Sequence, residues 1–213
     1  METVKAFTRL QSAVETQFPQ FAGRLRPPAP FTVSWAERPG AEQVLSLWSA
    51  TSGEPDEGLL GLCAGYRLLG PHESERERAK WVDLMDGSGL DAVANPSWDN
   101  SISLDPNAVR AVYFAAGWVP VLRRPLEADY LAVDLVPLSG GRPGQIVTCG
   151  RDVEEKIVVA PDLATLLTAL SEECTAGNWA AQTVETTKTE LPFLLRQGQD
   201  LLNACQDRTF PPQ

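Results

Sequence analysis

Acid–base and nucleophilic chemistry in proteins runs most often through histidine, and this chain has one, His72. It stands beside Glu73 at the head of a charged stretch, with no GxSxG-like elbow to present a serine nucleophile. A Ser-His-Asp or Cys-His device would have to be built from that single residue, so an exposed histidine at a helix start is the reading its neighbours support. Cys63, Cys149, Cys174 and Cys205 are far apart, form no CxxC pair and share no ligand spacing with His72, so no zinc site is expected. There is no DxDxDG loop for calcium either. The run Ser139-Gly140-Gly141-Arg142-Pro143-Gly144 has the glycines of a phosphate loop. It lacks the following Lys-Ser or Lys-Thr, leads into a strand pattern, and loses a donor at Pro143, so it reads as a tight inter-strand turn. Asp99, Asp129 and Asp134 are the carboxylates that could form a hydrolytic pair, yet no motif fixes any two at a working distance. Trp81, Trp98 and Trp118 suit a core or an interface anchor. None of these patterns asks for a cofactor.

The elements that would position such residues are legible from periodicity. The chain has 213 residues, 43% of them hydrophobic and 22% charged, which is enough to bury a real core. Val4, Phe7, Val14 and Phe18 lie near one side of a helix over 3–18, and Arg26-Pro27-Pro28-Ala29-Pro30 stops it. Ala41, Val44, Leu45 and Trp48 make a second amphipathic helix over 41–52, followed by an acidic turn at 54–57 and a glycine-broken extended run over 59–69. A third helix over 71–86 opens on Pro71 and pairs Glu73/Arg76, Glu75/Arg78 and Glu77/Lys80 on a solvated face, with Trp81, Val82 and Met85 opposite. Residues 98–104 suit a short strand before the Asp105-Pro106-Asn107 turn.

Within Val112–Val147, the apolar runs 119–122, 130–135 and 145–149 are joined by links too short for a helical crossover, which predicts an antiparallel meander. Tyr130, Ala132 and Asp134 alternate with Leu131, Val133 and Leu135, the pattern of a strand with one wet face. A further strand over 156–160 and a helix over 163–174, N-capped by Asp162, follow. Thr183–Thr189 reads as a loop or weak strand. A last helix is expected to begin at Pro192 and carry Leu191, Leu194, Leu195, Leu201, Leu202 and Cys205, before a frayed tail at 210–213. Helices, then antiparallel strands, then helices again give an α+β class: a twisted, mainly antiparallel sheet packed with helices.

The formal charge of −10 and pI near 4.6 speak against a nucleic-acid binder and are compatible with a cationic protein partner. No stretch has the roughly 18 apolar residues of a membrane span. The N-terminus lacks the layout of a signal peptide, and with unpaired cysteines a cytoplasmic protein is expected.

One string adds to this. Gly117-Trp118-Val119-Pro120-Val121, Asp129-Tyr130-Leu131-Ala132-Val133-Asp134-Leu135, Pro137 and Gly140-Gly141-Arg142-Pro143-Gly144-Gln145-Ile146-Val147, then Ala160-Pro161 opening a helix, resemble the SUKH superfamily, in particular its fungal cell-wall-assembly regulators and their bacterial relatives. Gly65-Tyr66-Arg67-Leu68-Leu69 extends the likeness backwards. The resemblance covers about residues 112–170, extends back to about 41, and implies an α+β domain without enzymatic activity. With the proline-rich joint, the expected layout is an N-terminal helical arm (1–25), the domain over 31–175 and a C-terminal extension (176–213) whose final helix packs on the domain. Bacterial relatives are commonly immunity proteins that neutralise toxins, and fungal ones are signalling scaffolds. Members often carry an acidic, glycine-rich loop where this chain has Arg123–Ala128. The expectation is therefore a protein-binding domain, foremost an immunity-type protein holding a basic toxin domain such as a nuclease. A regulatory scaffold is the alternative, and a carboxylate hydrolase the remote one. The contact surface is expected on the open face of the meander and its loops: Trp98, Asp99, Trp118, Glu127, Asp129, Tyr130 and Asp134.

Overall fold

The computed structural model describes residues 2–55, 61–125, 127–184, 189–194 and 200–210, with 182–184 and 189–194 described through their backbone. In chain order the elements are α1 (Glu2–Gln17), α2 (Ala41–Ala50), β1 (Arg67–Leu68), α3 (Pro71–Ala79), β2 (Met85–Asp86), β3 (Val93–Ala94), β4 (Ile102–Ser103), β5 (Phe114–Ala115), β6 (Trp118–Arg123), β7 (Asp129–Asp134), β8 (Gln145–Gly150), β9 (Glu155–Lys156), β10 (Val158–Ala160), α4 (Leu163–Thr175), β11 (Trp179–Val184), β12 (Thr189–Leu194) and α5 (Leu201–Gln206). The class is α+β, as expected.

The meander forms at the predicted places. β6, β7 and β8 pair antiparallel in sequence order at the centre of a five-stranded sheet ordered β1-β6-β7-β8-β10. Its turn is the glycine run, where Gly144 adopts φ 92° and passes so close to Gly40 and Gln43 that neither glycine position could carry a Cβ. Gln43 fastens this corner. Its amide donates to the Gly144 carbonyl (3.0 Å) and accepts from the Leu163 N–H at the head of α4 (2.6 Å). Asp162 caps α4 as predicted, accepting from Thr165 N–H at 2.8 Å.

The wet face does not exist. Leu131, Val133, Val119 and Ile146 face a core shared with Leu10, Val44, Leu166, Leu170 and Leu201 of the helices. On the opposite face, Trp118, Tyr130, Ala132, Val147 and Cys149 pack against Trp81, Val109, Tyr113 and Phe114. Period two was therefore the right pattern with a wrong inference attached, because the segment after α3 folds over the second face. A register shift between Pro120 and Leu122 inserts Val121 as an extra residue, and both Val121 and Leu122 join the helical side.

α3 ends at Ala79, short of the predicted 86. Its three i,i+3 pairs all form, at 3.8, 3.3 and 2.6 Å, but Glu73 and Glu77 are buried, so the charged face points inward. Glu73 takes Arg67 (2.8 Å) and Arg26 (2.5 Å); Glu77 takes the Tyr130 hydroxyl (2.7 Å) and Arg123 (3.4 Å). Trp81 leaves the helix to stack on Phe114, with ring centroids 5.2 Å apart. Val82, predicted on the apolar side, is exposed in a short 3-10 turn over Val82–Leu84.

Pro192 does not open a helix. It sits in β12 opposite Ala181 of β11, in a two-stranded ribbon where every strand is an edge and a missing donor is tolerated. The final helix is only Leu201–Gln206, capped by Asp200, and Phe210 is buried rather than frayed. Residues 56–60, 126, 185–188, 195–199 and 211–213, on which parts of the expected acidic turn, glycine-broken run, partner loop, weak strand, last helix and tail fall, lie outside the described residues. No helix among the described residues is long and apolar enough to cross a membrane.

Candidate functional site

The segment after β3 builds an unusual surface from local rules. Pro96 opens a turn closed by Asp99 N–H on its carbonyl (2.8 Å). Asp99 then folds the chain back on itself, its carboxylate accepting from both the N–H (2.9 Å) and the hydroxyl (2.6 Å) of Ser101. β4 follows and lies parallel to β9, with Ile102 N–H on the Glu154 carbonyl (2.9 Å) and Leu104 N–H on that of Lys156 (3.0 Å). Asp105 ties off the far end by accepting Val158 N–H (2.7 Å) and pairing with Arg208 (3.0 Å). The backbone is pinned along its length, yet Trp98 is left 58% exposed, and Ile102 and Leu104 are exposed beside β4.

Trp98 stands on a column of rings. Its indole meets Tyr113 edge-on at 4.8 Å, Tyr113 meets Trp81 at 5.0 Å, Trp81 stacks on Phe114 at 5.2 Å, and Phe114 meets Trp118 at 5.9 Å. Each contact is of the offset or edge-to-face kind that aromatic pairs prefer. An exposed tryptophan is thus held by a rigid chain of rings that reaches the core on the second face of the meander.

Electrostatically this end of the molecule is acidic. Between Lys80 and Arg110 the chain carries Asp83, Asp86, Asp91, Asp99 and Asp105 and no lysine, arginine or histidine. Asp99, Asp129, Arg151 and Asp152 surround Tyr113, whose hydroxyl is pushed up first by burial and then by those carboxylates, against Arg151. Asp129 is pushed up to about 6 by burial and by Glu127 and Asp152 beside it, although Asp152 N–H donates to it (3.2 Å). Lys156 is buried and its ammonium is pushed down by that burial, partly offset by Cys149, Asp99, Asp129 and Glu154; its amine donates to the Val153 carbonyl.

The structure brings part of the expected contact surface together. Trp98, Asp99, Glu127 and Asp129 lie at this one end, of which Trp98 is exposed, Asp99 and Glu127 are half-buried and Asp129 is buried. Trp118, Tyr130 and Asp134 do not belong to an open face: all are buried. Trp118 and Asp134 sit opposite each other in the β6–β7 register. Asp134 is saturated by Val136 N–H (2.9 Å) and the Gln145 amide (3.0 Å), and burial pushes it up to about 6 against those hydrogen bonds. Of the three carboxylates considered for a hydrolytic pair, Asp134 stands apart, while Asp99 and Asp129 both lie around Tyr113. Asp129 and Asp134 cap opposite ends of β7, about 17 Å apart at strand rise. No group of three or more His, Cys, Asp or Glu suited to a metal ion occurs among the described residues. All four cysteines are free and buried, which raises their thiols and keeps them inert.

The sequence reading missed Tyr113, Ile102 and Leu104. The signal that could have found this surface was the cation-free stretch from 81 to 109, which no search for motifs weighs.

No family model matches the chain. Among curated proteins it is similar to the cell wall assembly regulator SMI1 of Saccharomyces cerevisiae, 34% identical over 84 residues, covering 39% of this chain and 16% of that protein. It is 32% identical over 124 residues to the cell wall biosynthesis/cell cycle regulator of Schizosaccharomyces pombe, covering 56% of this chain and 24% of the relative. A glucan synthesis regulatory protein of Neurospora crassa matches at 34% over 90 residues, covering 40% of this chain and 17% of the relative. The chain therefore spans a quarter or less of the length of these relatives. These matches make the chain similar, over part of its length, to fungal cell wall and glucan synthesis regulators, in keeping with the likeness of its Trp-Val-Pro strand and glycine turn to the SUKH superfamily.

Proposed function

We propose that the chain is a regulatory protein-interaction domain that holds a partner against the Trp98 surface and performs no chemistry of its own. The observation that carries this reading is the exposed Trp98 standing on a column of rings anchored in the core. A large aromatic side chain held in place in the unbound protein loses little freedom on binding, which is what makes tryptophan effective as an interface anchor. The names of the curated relatives, all regulators, support a scaffold over the immunity-type reading, to which they lend nothing. Asp99 and Glu127 would serve as its acidic border with the buried Asp129 behind them, and Trp118 and Tyr130 as the buried base of the ring column and its neighbour strand.

The test is a comparison of Trp98→Ala with the unaltered chain. Partners captured by the full chain are identified, made separately and titrated by calorimetry. Loss of the exposed indole should weaken a true partner by about 2 kcal/mol or more while leaving thermal unfolding nearly unchanged. A partner whose affinity ignores Trp98 would place the interaction elsewhere.

A further inference from the structure

Among the described residues, both edges of the central sheet are partly blocked by carboxylates. At β1 the Glu54 carboxylate accepts from Leu68 N–H (2.7 Å) and Leu62 N–H (3.1 Å), while Glu54 N–H donates to the Leu68 carbonyl (2.9 Å). At β10 Asp105 accepts from Val158 N–H (2.7 Å). Carboxylates thus plug the outward donors at both ends, one of the ways in which proteins blunt an edge strand.

β4 differs. Its inward N–H groups, those of Ile102 and Leu104, are spent on β9. Alternation along a strand turns the N–H and carbonyl of Ser103 to the other side, where no further strand is paired among the described residues. Ile102 and Leu104 share one face of this strand and are both exposed, with Trp98 just before them. Carboxylates outnumber cations around this edge, and the nearby Arg208 and Arg151 are already paired with Asp105 and Asp152. Asp99 precedes β4, the exposed Glu154 and half-buried Glu155 lie across from it, and Lys156, the next residue of β9, is buried.

We propose that β4 is a docking edge for an extended, lysine- or arginine-rich segment of a partner protein. The segment adds as a strand beside Ser103, sets its cations among Asp99, Glu154 and Glu155, and lays an apolar side chain across Trp98, Ile102 and Leu104. Main-chain hydrogen bonds would supply affinity and the alternating side chains specificity, as in other strand additions. The acidic field would favour encounter with a cationic segment and make it depend on salt. This proposal rests on the Trp98 surface being the interaction site, and adds to it the chemistry and geometry of the occupant.

The full chain is titrated with a short peptide of alternating lysine and valine and, separately, with its glutamate–valine counterpart. Binding is followed by tryptophan emission, and amide hydrogen exchange is read residue by residue. The lysine peptide should bind, weaken with added salt, and slow exchange of the Ser103 amide about tenfold or more; the glutamate peptide should not bind. Ser103→Pro, which removes only the outward donor of an edge position, should weaken binding about tenfold, whereas Ser103→Ala, which keeps that donor, should not. No binding at millimolar lysine peptide, or a Ser103 amide that exchanges as before, overturns the proposal. So does self-association that Ser103→Pro abolishes, since a second copy would then be the occupant. An authentic partner sensitive to Trp98→Ala but indifferent to Ser103→Pro and salt would leave the interaction surface standing and remove strand docking; indifference to both variants would remove both.

Discussion

Glu77 shows how much of this fold is held by single polar side chains. It is buried between α3 and the meander, where it receives the Tyr130 hydroxyl, Lys80 and Arg123. Burial alone would raise its carboxyl, but the hydrogen bonds from Lys80 and Tyr130 and the charge of Arg123 outweigh it and hold it below the usual range. Tyr130→Phe deletes one of these donors and should cost about 1–2 kcal/mol in urea unfolding. Glu77→Ala, which strands the Tyr130 hydroxyl in the core, should cost about 3 kcal/mol or more. Asp134 and Glu54 work the other way. Burial pushes them up to about 6 and about 7 respectively, so the folded chain keeps protons that the unfolded chain has already released. The native state binds more protons over that interval, and stability should therefore fall as pH rises from about 4 through about 7, then level off. Each group accounts for at most about 3 kcal/mol, while the contribution of Glu77 is lost only in more acid solution. Urea midpoints measured from pH 4.5 to pH 8 check the slope, and Asp134→Asn should flatten part of it.

Among the elements, the corner joining α2, the glycine turn and α4 is the least forgiving. Gly144→Ala would put a left-handed alanine with its Cβ 2.0 Å from the Gln43 amide nitrogen, displacing the side chain that bridges three elements. The expected loss is about 2–3 kcal/mol by thermal unfolding, against about 1 kcal/mol for Gln43→Ala. This turn was legible from its glycines, and β6, β7, β8 and α4 were legible from period and capping, because in each the local preference agrees with the tertiary packing. The failures have a common cause. Whether Tyr130 and Asp134 face water depends on a segment some twenty residues earlier folding across them, and alternation says nothing of what covers a strand. The inward face of α3 was misread because Glu73 and Glu77 look solvated until Arg67, Arg26 and Tyr130 are brought in from elsewhere. Half of the candidate surface was legible for the converse reason: Trp98 and Asp99 are displayed by a turn that their own neighbours make.

At the scale of the whole molecule, α1 is part of the core. Phe7, Leu10 and Val14 are buried in the cluster that holds α4 and the meander, and α1 packs along α4. Deleting residues 1–25 should therefore expose that cluster and give a chain that binds hydrophobic dye and unfolds without a sharp transition, rather than a trimmed, stable domain. The ring column has an optical consequence. Excitation absorbed by the buried indoles migrates along closely spaced aromatics toward the ring with the lowest excited state, which is the one that water relaxes, Trp98. The emission that arises in this column is then weighted toward the residue a partner would cover, so that occupancy of this surface should appear as a blue shift of that part of the spectrum, above a constant background from Trp35, Trp48 and Trp179.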